Sequence, residues 1–383
     1  MEGPRTIALL GGGQLGRMFI ENALRYDVRV YVLDPDPAAP CAHLAHRFEV
    51  GDLNDVDTVV RFAADADVVG IEIEHVSTTA LDRLKALGKQ VIPDPEVLRT
   101  IKDKGLQKEF YRDHGITTAD FALIEQPTEI AAHANLLPAF LKLRTGGYDG
   151  KGVMMVDTSH PVGVFEGPCV LEERVDIQME LAVIVVRDRD GNTVVYDPVE
   201  MVFDQRFNLV DHLRAPARIS LSNAEEARTL ARTVVDGFGA PGLYAVELFL
   251  TVDGRMLVNE TAPRAHNSGH HTIEACASSQ FDQLLRVYLG LPLGDPTLHS
   301  TAAMINLVGE GGEGEPILLG SKEILAIPRA FPHLYGKART RTGRKMGHVT
   351  LLAEGQDALD HGIALIKTHG KVVPEVRSAT IRN

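Results

Sequence analysis

The sequence predicts a chain of more than one domain that opens as a parallel α/β unit and continues as an α+β body. Three observations carry this. Residues 6–33 read as the strand TIALL, the turn GGGQLG, the helix RMFIENALRY and the strand VRVYVL, a unit of a parallel sheet. Beyond about residue 115, short apolar runs are separated by glycine-rich or Asp-Gly turns, as antiparallel pairs require. A chain of 383 residues also exceeds one ordinary core, since single cores stop growing at about 250–300 residues.

In order, DVVGIEIEHV (67–76) predicts a further buried strand ending in carboxylates and TTALDRLKAL a helix, with two prolines in VIPDPEVLRT punctuating the end of the first domain. KDKGLQKEFYRDHG is a charged amphipathic helix. LPAFLKLR, GGYDGKG and VMMVD form strand, loop and strand. CVLEERVD, LAVIVVRDRDGNTVVYDPVEMVF and LYAVELFLTVDGRMLVNET predict strand pairs, and TIEACASSQFDQLLRVYLG one helix. From about residue 300 a distinct segment carries MINLVG, the basic stretch GKARTRTGRKMGHVTLL, and a last helix and strand.

Composition limits the partners. A formal charge of −13, 5% aromatics and no Trp disfavour stacked-base or polyanion binding and favour small-molecule ligands. The three cysteines, Cys41, Cys169 and Cys276, form no CxxC pair, which points away from disulfides and zinc knuckles and toward a reducing compartment. Without a signal-peptide pattern or an apolar run of about 18 residues, a cytoplasmic protein with no membrane span is expected.

GGGQLG fits G-x-G-x-x-G through Gly11, Gly13 and Gly16, and Asp34 ends the next strand where a ribose-binding acid could sit. That outline suits a nicotinamide dinucleotide, but any anion can use such a helix N-terminus. GGYDGKG lacks the GK[ST] ending of a P-loop and lies between two strands, so it reads as a hairpin tip. Alternation in LPAFLKLR sets Ala139, Leu141 and Leu143 on one face and Lys142 on the other, beside that tip. A glycine flap with Lys142 and Lys151 suits polyphosphate, whose oxygens backbone N–H groups and ammoniums can cover.

In LYAVELFLTVDGRMLVNE, a two-residue Asp253-Gly254 turn would set Glu247 opposite Glu260, about 5 Å apart. At an effective dielectric of 20 their repulsion is about 3 to 4 kcal/mol. Either a cation offsets it or the register differs; facing a triphosphate, Mg²⁺ is the expected ion. Next, Arg264, His266, Asn267 and Ser268 gather at a helix N-terminus, a corner for a small planar anion. No HExxH or cysteine partner supports zinc on His266, His270 and His271. Lys337, Arg339, Arg341, Arg344 and Lys345 form a basic stretch in an acidic protein, suited to a phosphate.

Taken in order, GGGQLGRM, EIE, LKLRTGGYDGKG, VLEERV, AVELF, VNETAPRAHNSGHHT and GRKMGH resemble the 5-(carboxyamino)imidazole ribonucleotide synthase family of ATP-grasp enzymes, over nearly the whole chain. The resemblance implies an N-terminal Rossmann-like (pre-ATP-grasp) domain over 1–98, an ATP-grasp domain over 99–299 with a lid at about 115–175, and a C-terminal segment, 300–383, packing on it. It implies ATP held by Lys104, Lys142, Gly147, Tyr148, Asp149, Gly150, Lys151 and Gly152, with Glu172, Glu173, Arg174 and Val175 at the adenine, Glu180 at the ribose, and Asn259 and Glu260 near the phosphates. Glu247 and Glu260 would bind Mg²⁺ or Mn²⁺. Arg264, His266 and Asn267 would hold bicarbonate and, with Lys345, form the catalytic set. Gln14, Leu15, Glu72, Tyr148, Lys151, Lys337, Arg344 and Lys345 would surround aminoimidazole ribonucleotide, and the enzyme would be a cytoplasmic homodimer. Lys104, Val153 and Phe203 depart from the family pattern, in which arginine, glutamine and histidine are usual. The rival readings are an ATP-grasp glycinamide ribonucleotide formyltransferase using formate, a nicotinamide-dependent oxidoreductase, and a nucleotide sensor.

Overall fold

The computed structural model describes residues 5–147, 152–204, 206 and 209–375. Thr6–Leu10 (β1), Arg29–Asp34 (β2), Arg47–Val50 (β3), Val68–Ile71 (β4) and Gln90–Ile92 (β5) form a parallel sheet in the order β3-β2-β1-β4-β5. β1 and β4 are buried throughout, which is why both read as unbroken apolar runs. The sheet order reverses between β1 and β4, so the crevice at their carboxyl ends is where a ligand is best received. β4 stops at Ile71, short of the expected 67–76 strand, and Glu72 and Glu74 stand on the loop that follows. Helices α1 (Gln14–Leu24), α2 (Val56–Phe62), α3 (Thr78–Ala86) and α4 (Pro95–Lys102) complete this layer, and α5 (Lys104–Asp113) follows directly. Asp103 separates α4 from α5 and caps the latter, its Oδ1 accepting from Gly105 N at 2.7 Å.

Phe121–Ile124 (β6), Ala139–Leu143 (β7), Val153–Val156 (β8) and Cys169–Glu173 (β9) form a small sheet in the order β6-β9-β7-β8. Ala139 and Leu141 enter its core, while Lys142 takes the other face as the alternation predicts. The chain then builds a nine-stranded sheet from Ile177–Arg187 (β10), Thr193–Val195 (β11), Val199–Asp204 (β12), Leu209–Ala215 (β13), Gly242–Thr251 (β14), Met256–Ala262 (β15), Thr301–Val308 (β16) and two later strands. Helix α6 (Leu221–Phe238) covers one face, its Ala227, Ala231, Val234 and Val235 packing with Val183, Val246 and Leu248.

The expected single helix over 272–290 is two. α7 (Thr272–Ala275) ends at extended Cys276, and α8 (Gln280–Leu289) restarts where the Ser279 hydroxyl accepts from Asp282 N at 3.1 Å. This serine cap outweighs the helical periodicity across the break. α8 covers Ile184, Val186, Leu243 and Ala245 on the other face of the large sheet. The same face continues uncovered by α8 at Glu180, Glu247 and Glu260, and there the candidate site lies.

The C-terminal segment does more than pack on the body: β16 pairs with β13, Lys345–Ala353 (β19) pairs with β16, and Ala330–Leu334 (β18) closes the edge. Pro316–Leu319 (β17) and Lys371–Pro374 (β20) form a separate pair, with α9 (Ser321–Leu325) and α10 (Gln356–His369) over the sheet. Among the described residues no helix is long and apolar enough to cross a membrane.

The first sheet also shares a core with α8: Phe19 meets Tyr288 edge-on at 5.5 Å, and Tyr26 Oη donates to Asp282 at 2.8 Å. Tyr288 fits because Gly70 has no side chain; a Cβ there would lie 2.3 Å from the Tyr288 hydroxyl. Gly70→Ala is therefore expected to lower unfolding free energy by about 1–3 kcal/mol, read as a shifted urea midpoint at unchanged slope. An unchanged midpoint would mean that Tyr288 has room to retreat.

Candidate active site

Glu247 does face Glu260, but by a different route from the one the sequence predicts. β14 and β15 join through a longer loop, in which Thr251 N donates to Arg255 O at 3.0 Å and Gly254 takes φ +86°. Leu250 therefore faces Met256 and Leu248 faces Val258, one residue out of the expected register. A β-bulge at Asn259 takes up the difference and returns Glu247 to Glu260. The bulge also aims Asn259 into the site, its Oδ1 3.4 Å from Lys142 Nζ and its Nδ2 3.5 Å from Glu247 Oε2.

Lys104, on the first turn of α5, pairs with Glu260. Its charge holds the Glu260 carboxyl below the ordinary range, whereas burial, then the charges of Glu260 and Glu180, push Glu247 above it. Burial also raises Glu180 to about 7. Glu260 has the Lys104 ammonium against it, while Glu247 feels the Lys104 and Lys345 charges only at a distance. That donor set fits a divalent cation completing its shell with phosphate oxygens. Among the described residues no three His, Cys, Asp or Glu side chains gather as a metal cage.

Beside this pair lies a buried ion triad. Glu172 accepts from Lys142 at 2.9 Å and pairs with Lys108 at 2.8 Å, and the Glu172 and Lys108 side chains are 4% and 5% exposed. Burial alone would raise the Glu172 pKa, but the two lysines outweigh it and hold it at about 2. Glu172, expected at an adenine edge, thus points inward as a counter-ion. Glu173 ends β9, and Arg174 and Val175 cross from the small sheet to β10, with Arg174 N bonded to Pro138 O at 3.1 Å. Lys104, Lys108, Lys142, Glu172, Asn259 and Glu260 line one small pocket. Sequence reasoning missed Lys108; its signal is the i, i+4 spacing from Lys104 on a helix.

The loop after β15 carries the residues expected at an anion corner. Arg264 pairs with Glu74 at 2.9 Å, and His266 Nε2 stands 3.6 Å from Glu247 Oε1. Burial, then the Arg264 and Lys345 charges, lower His266 to about 3, so it is neutral near pH 7. The buried Asn267 amide has neither its oxygen nor its nitrogen bonded. A buried polar group left in this way calls for a ligand or water.

Leu15 N at the start of α1 donates to Glu72 Oε1 at 3.1 Å, and burial raises Glu72 to about 7. Leu15, Glu72 and Arg264 line a second pocket, so the first domain and the corner share one space. Gln14 opens α1 beside it. Arg344 donates to Arg339 O at 2.7 Å within reach of the Asp36 charge, and Lys337 donates to Lys345 O at 2.7 Å. Asp34, weighed as a ribose acceptor, is occupied: it accepts from Gly12 N at 2.6 Å and Asp36 N at 2.8 Å. Gly147 and Gly152 flank the flap between the hairpin strands β7 and β8, as expected; Tyr148, Asp149, Gly150 and Lys151 lie outside the described residues.

Carboxylates, lysines and an anion corner beneath a hairpin lid, with a parallel α/β domain alongside, define an ATP-grasp enzyme. Family models agree: the ribonucleotide synthetase preATP-grasp domain matches residues 4–102, the ATP-grasp domain 109–281, and the phosphoribosylaminoimidazole carboxylase C-terminal domain 302–362. The N5-carboxyaminoimidazole ribonucleotide synthase of Brucella melitensis is 38% identical over 90% of this chain and 95% of its own length. That of Bacillus subtilis is 34% identical over 92% of each. Among solved structures, the Thermotoga maritima synthetase superimposes with TM-score 0.89 at 37% identity, covering 97% of this chain and all of its own. The Aspergillus clavatus enzyme, in complex with ADP and 5-aminoimidazole ribonucleotide, gives 0.87 at 34% over 96% of this chain and 99% of its own. The chain belongs to the N5-carboxyaminoimidazole ribonucleotide synthase family.

Proposed function

We propose that this chain carboxylates the amine of 5-aminoimidazole ribonucleotide with bicarbonate and ATP, releasing ADP and phosphate, in purine biosynthesis. The observation that carries the assignment of roles is the facing pair Glu247 and Glu260 next to Arg264, His266 and the buried, unbonded Asn267 amide. Bicarbonate in that corner would attack the γ-phosphorus; the bond to the β-phosphate oxygen breaks, and carboxyphosphate and ADP form. Carboxyphosphate then gives phosphate and CO₂, which the exocyclic amine takes up with loss of a proton.

Phosphoryl transfer of this kind depends on position and charge more than on covalent help. Lys142 and Lys104 neutralise phosphate oxygens, and Arg264 with the Asn267 amide orients bicarbonate. Neutral His266, whose Nδ1 accepts from Ser268 N at 3.3 Å, carries its hydrogen on Nε2 and can donate it to a bicarbonate oxygen, and Lys345 neutralises the leaving phosphate. Glu247 and Glu260 would hold a Mg²⁺ ion, which would supply charge neutralisation to the transferring phosphate. The glycine flap at 146–152 excludes water from carboxyphosphate. Glu72 and Leu15, with Lys337 and Arg344, bind the ribonucleotide, and the enzyme works as a cytoplasmic homodimer.

ADP release measured with aminoimidazole ribonucleotide, with and without bicarbonate, and with glycinamide ribonucleotide plus formate tests this reading. Dependence on the first pair supports it; turnover only with formate overturns it. Arg264→Ala is expected to raise the bicarbonate KM by about tenfold or more, since it removes a charge-assisted contact, and to leave the ATP KM nearly unchanged. Equal changes in both would assign Arg264 a structural role through Glu74.

A further inference from the structure

The loop that follows leaves β15 at Ala262, and among the described residues no strand ladder continues along it to fix its backbone. One side chain takes that part. Gln280, fully buried at the start of α8, accepts from His266 N at 2.9 Å through Oε1 and donates to His266 O at 2.9 Å through Nε2. A single amide thus closes both main-chain groups of His266, as a strand neighbour would. The same Nε2 lies 3.0 Å from His270 Nδ1; because Nε2 can only donate, His270 accepts there and carries its hydrogen on Nε2. Gln280 N donates to Thr272 Oγ1 at 2.9 Å, which fixes the far end of the loop.

The tie continues into the C-terminal segment. His270 stacks on His348 with ring centres 4.8 Å apart, and His348 Nδ1 meets the Tyr335 hydroxyl at 3.0 Å. His348 stands on β19, the strand that begins with Lys345. The corner and the lysine that faces it come from distant parts of the chain, and this buried path joins them. Space is also tight: a Cβ on Gly269 would lie 2.4 Å from Gln280 Oε1.

We infer that Gln280 is a positioning residue for bicarbonate: its amide fixes His266, and with it Arg264 and Asn267, against Lys345. This rests on the bicarbonate reading of the corner. The test compares steady-state ADP release by wild type, Gln280→Met, Gln280→Glu and Gly269→Ala, varying bicarbonate and ATP separately. Gln283→Met is the control, because Gln283 is as buried on the same helix and makes the same two-way amide contact, at 2.8 and 2.9 Å, with Gly294 instead of the corner.

Gln280→Met and Gly269→Ala are expected to raise the bicarbonate KM by about tenfold or more with the ATP KM within about twofold. Gln283→Met should leave that ratio at the wild-type value even if it unfolds more easily. Should Gln280→Met fail to fold, Gly269→Ala and the isosteric Gln280→Glu carry the comparison. Equal changes in both KM values, or a Gln283→Met variant indistinguishable from Gln280→Met, overturn the inference while the bicarbonate reading stands. Wild-type ADP release that ignores bicarbonate overturns that reading and this inference with it.

Discussion

Glu260→Ala is expected to lower bicarbonate-dependent ADP release by about 10²-fold or more while leaving the fold intact. The two halves of that expectation have separate causes. Glu260 is one of two carboxylates able to hold a divalent ion against the phosphates, and the loss of charge stabilisation falls on the transition state. Its contribution to stability is small, because the Glu260 and Lys104 side chains remain 43% and 27% exposed and water screens the pair, leaving about 1 kcal/mol or less at stake. Circular dichroism and a urea midpoint near wild type, beside collapsed turnover, are the expected pair of results. Lys104 offers a rival account in which Glu260 serves only to neutralise it. Under that account Lys104→Met and the Lys104→Met, Glu260→Ala double variant bind Mn²⁺ and turn over alike; under the metal account the double variant binds Mn²⁺ more weakly and turns over more slowly than Lys104→Met alone.

That pair also shows how far the sequence could be read. Counting outward from an Asp-Gly turn finds Glu247 opposite Glu260, yet the loop is one residue longer and the bulge at Asn259 restores the pairing. Two offsets cancel. Strand periodicity reveals which face a residue takes, but a bulge leaves no periodic mark, so the aim of Asn259 into the site was illegible as geometry. The lid hairpin and Lys142 were legible because alternation in AFLKL is strict and glycine marks the tip. The helix over 272–290 was misread because the apolar spacing continues through Cys276, and only the Ser279 cap breaks it. Gln280 was invisible for the same reason: inside a presumed continuous helix it is an ordinary polar residue, and at a helix start it reaches back to His266. That Lys108 and Glu172 meet was illegible, since nothing in EERVD or LQKEF pairs the two.

Their meeting has a larger consequence for stability than any exposed pair in the molecule. Glu172→Gln removes the negative centre between Lys108 and Lys142 and leaves two ammoniums in a site whose members are 4%, 5% and 16% exposed. Breaking a buried ion pair from one side costs about 3–5 kcal/mol, most of it the uncompensated charge left behind. Burial already lowers the Lys108 pKa with its partner present, so the variant should shed a proton from a lysine before it accepts both charges. Lys108→Met added to Glu172→Gln should therefore recover most of the loss, and a double-mutant cycle on urea midpoints measures the coupling. The pH dependence has a definite sign. The Glu172 carboxyl titrates at about 2 in the folded protein, below its unfolded value, so its contribution is fully present above about pH 5 and fades as pH falls toward 2. The stability gap between wild type and the Lys108→Met, Glu172→Gln double variant, which has no surplus buried ammonium to titrate, should be constant from pH 7 to about 5 and narrow or reverse below it; a gap that widens on acidification would place the carboxylate outside the triad.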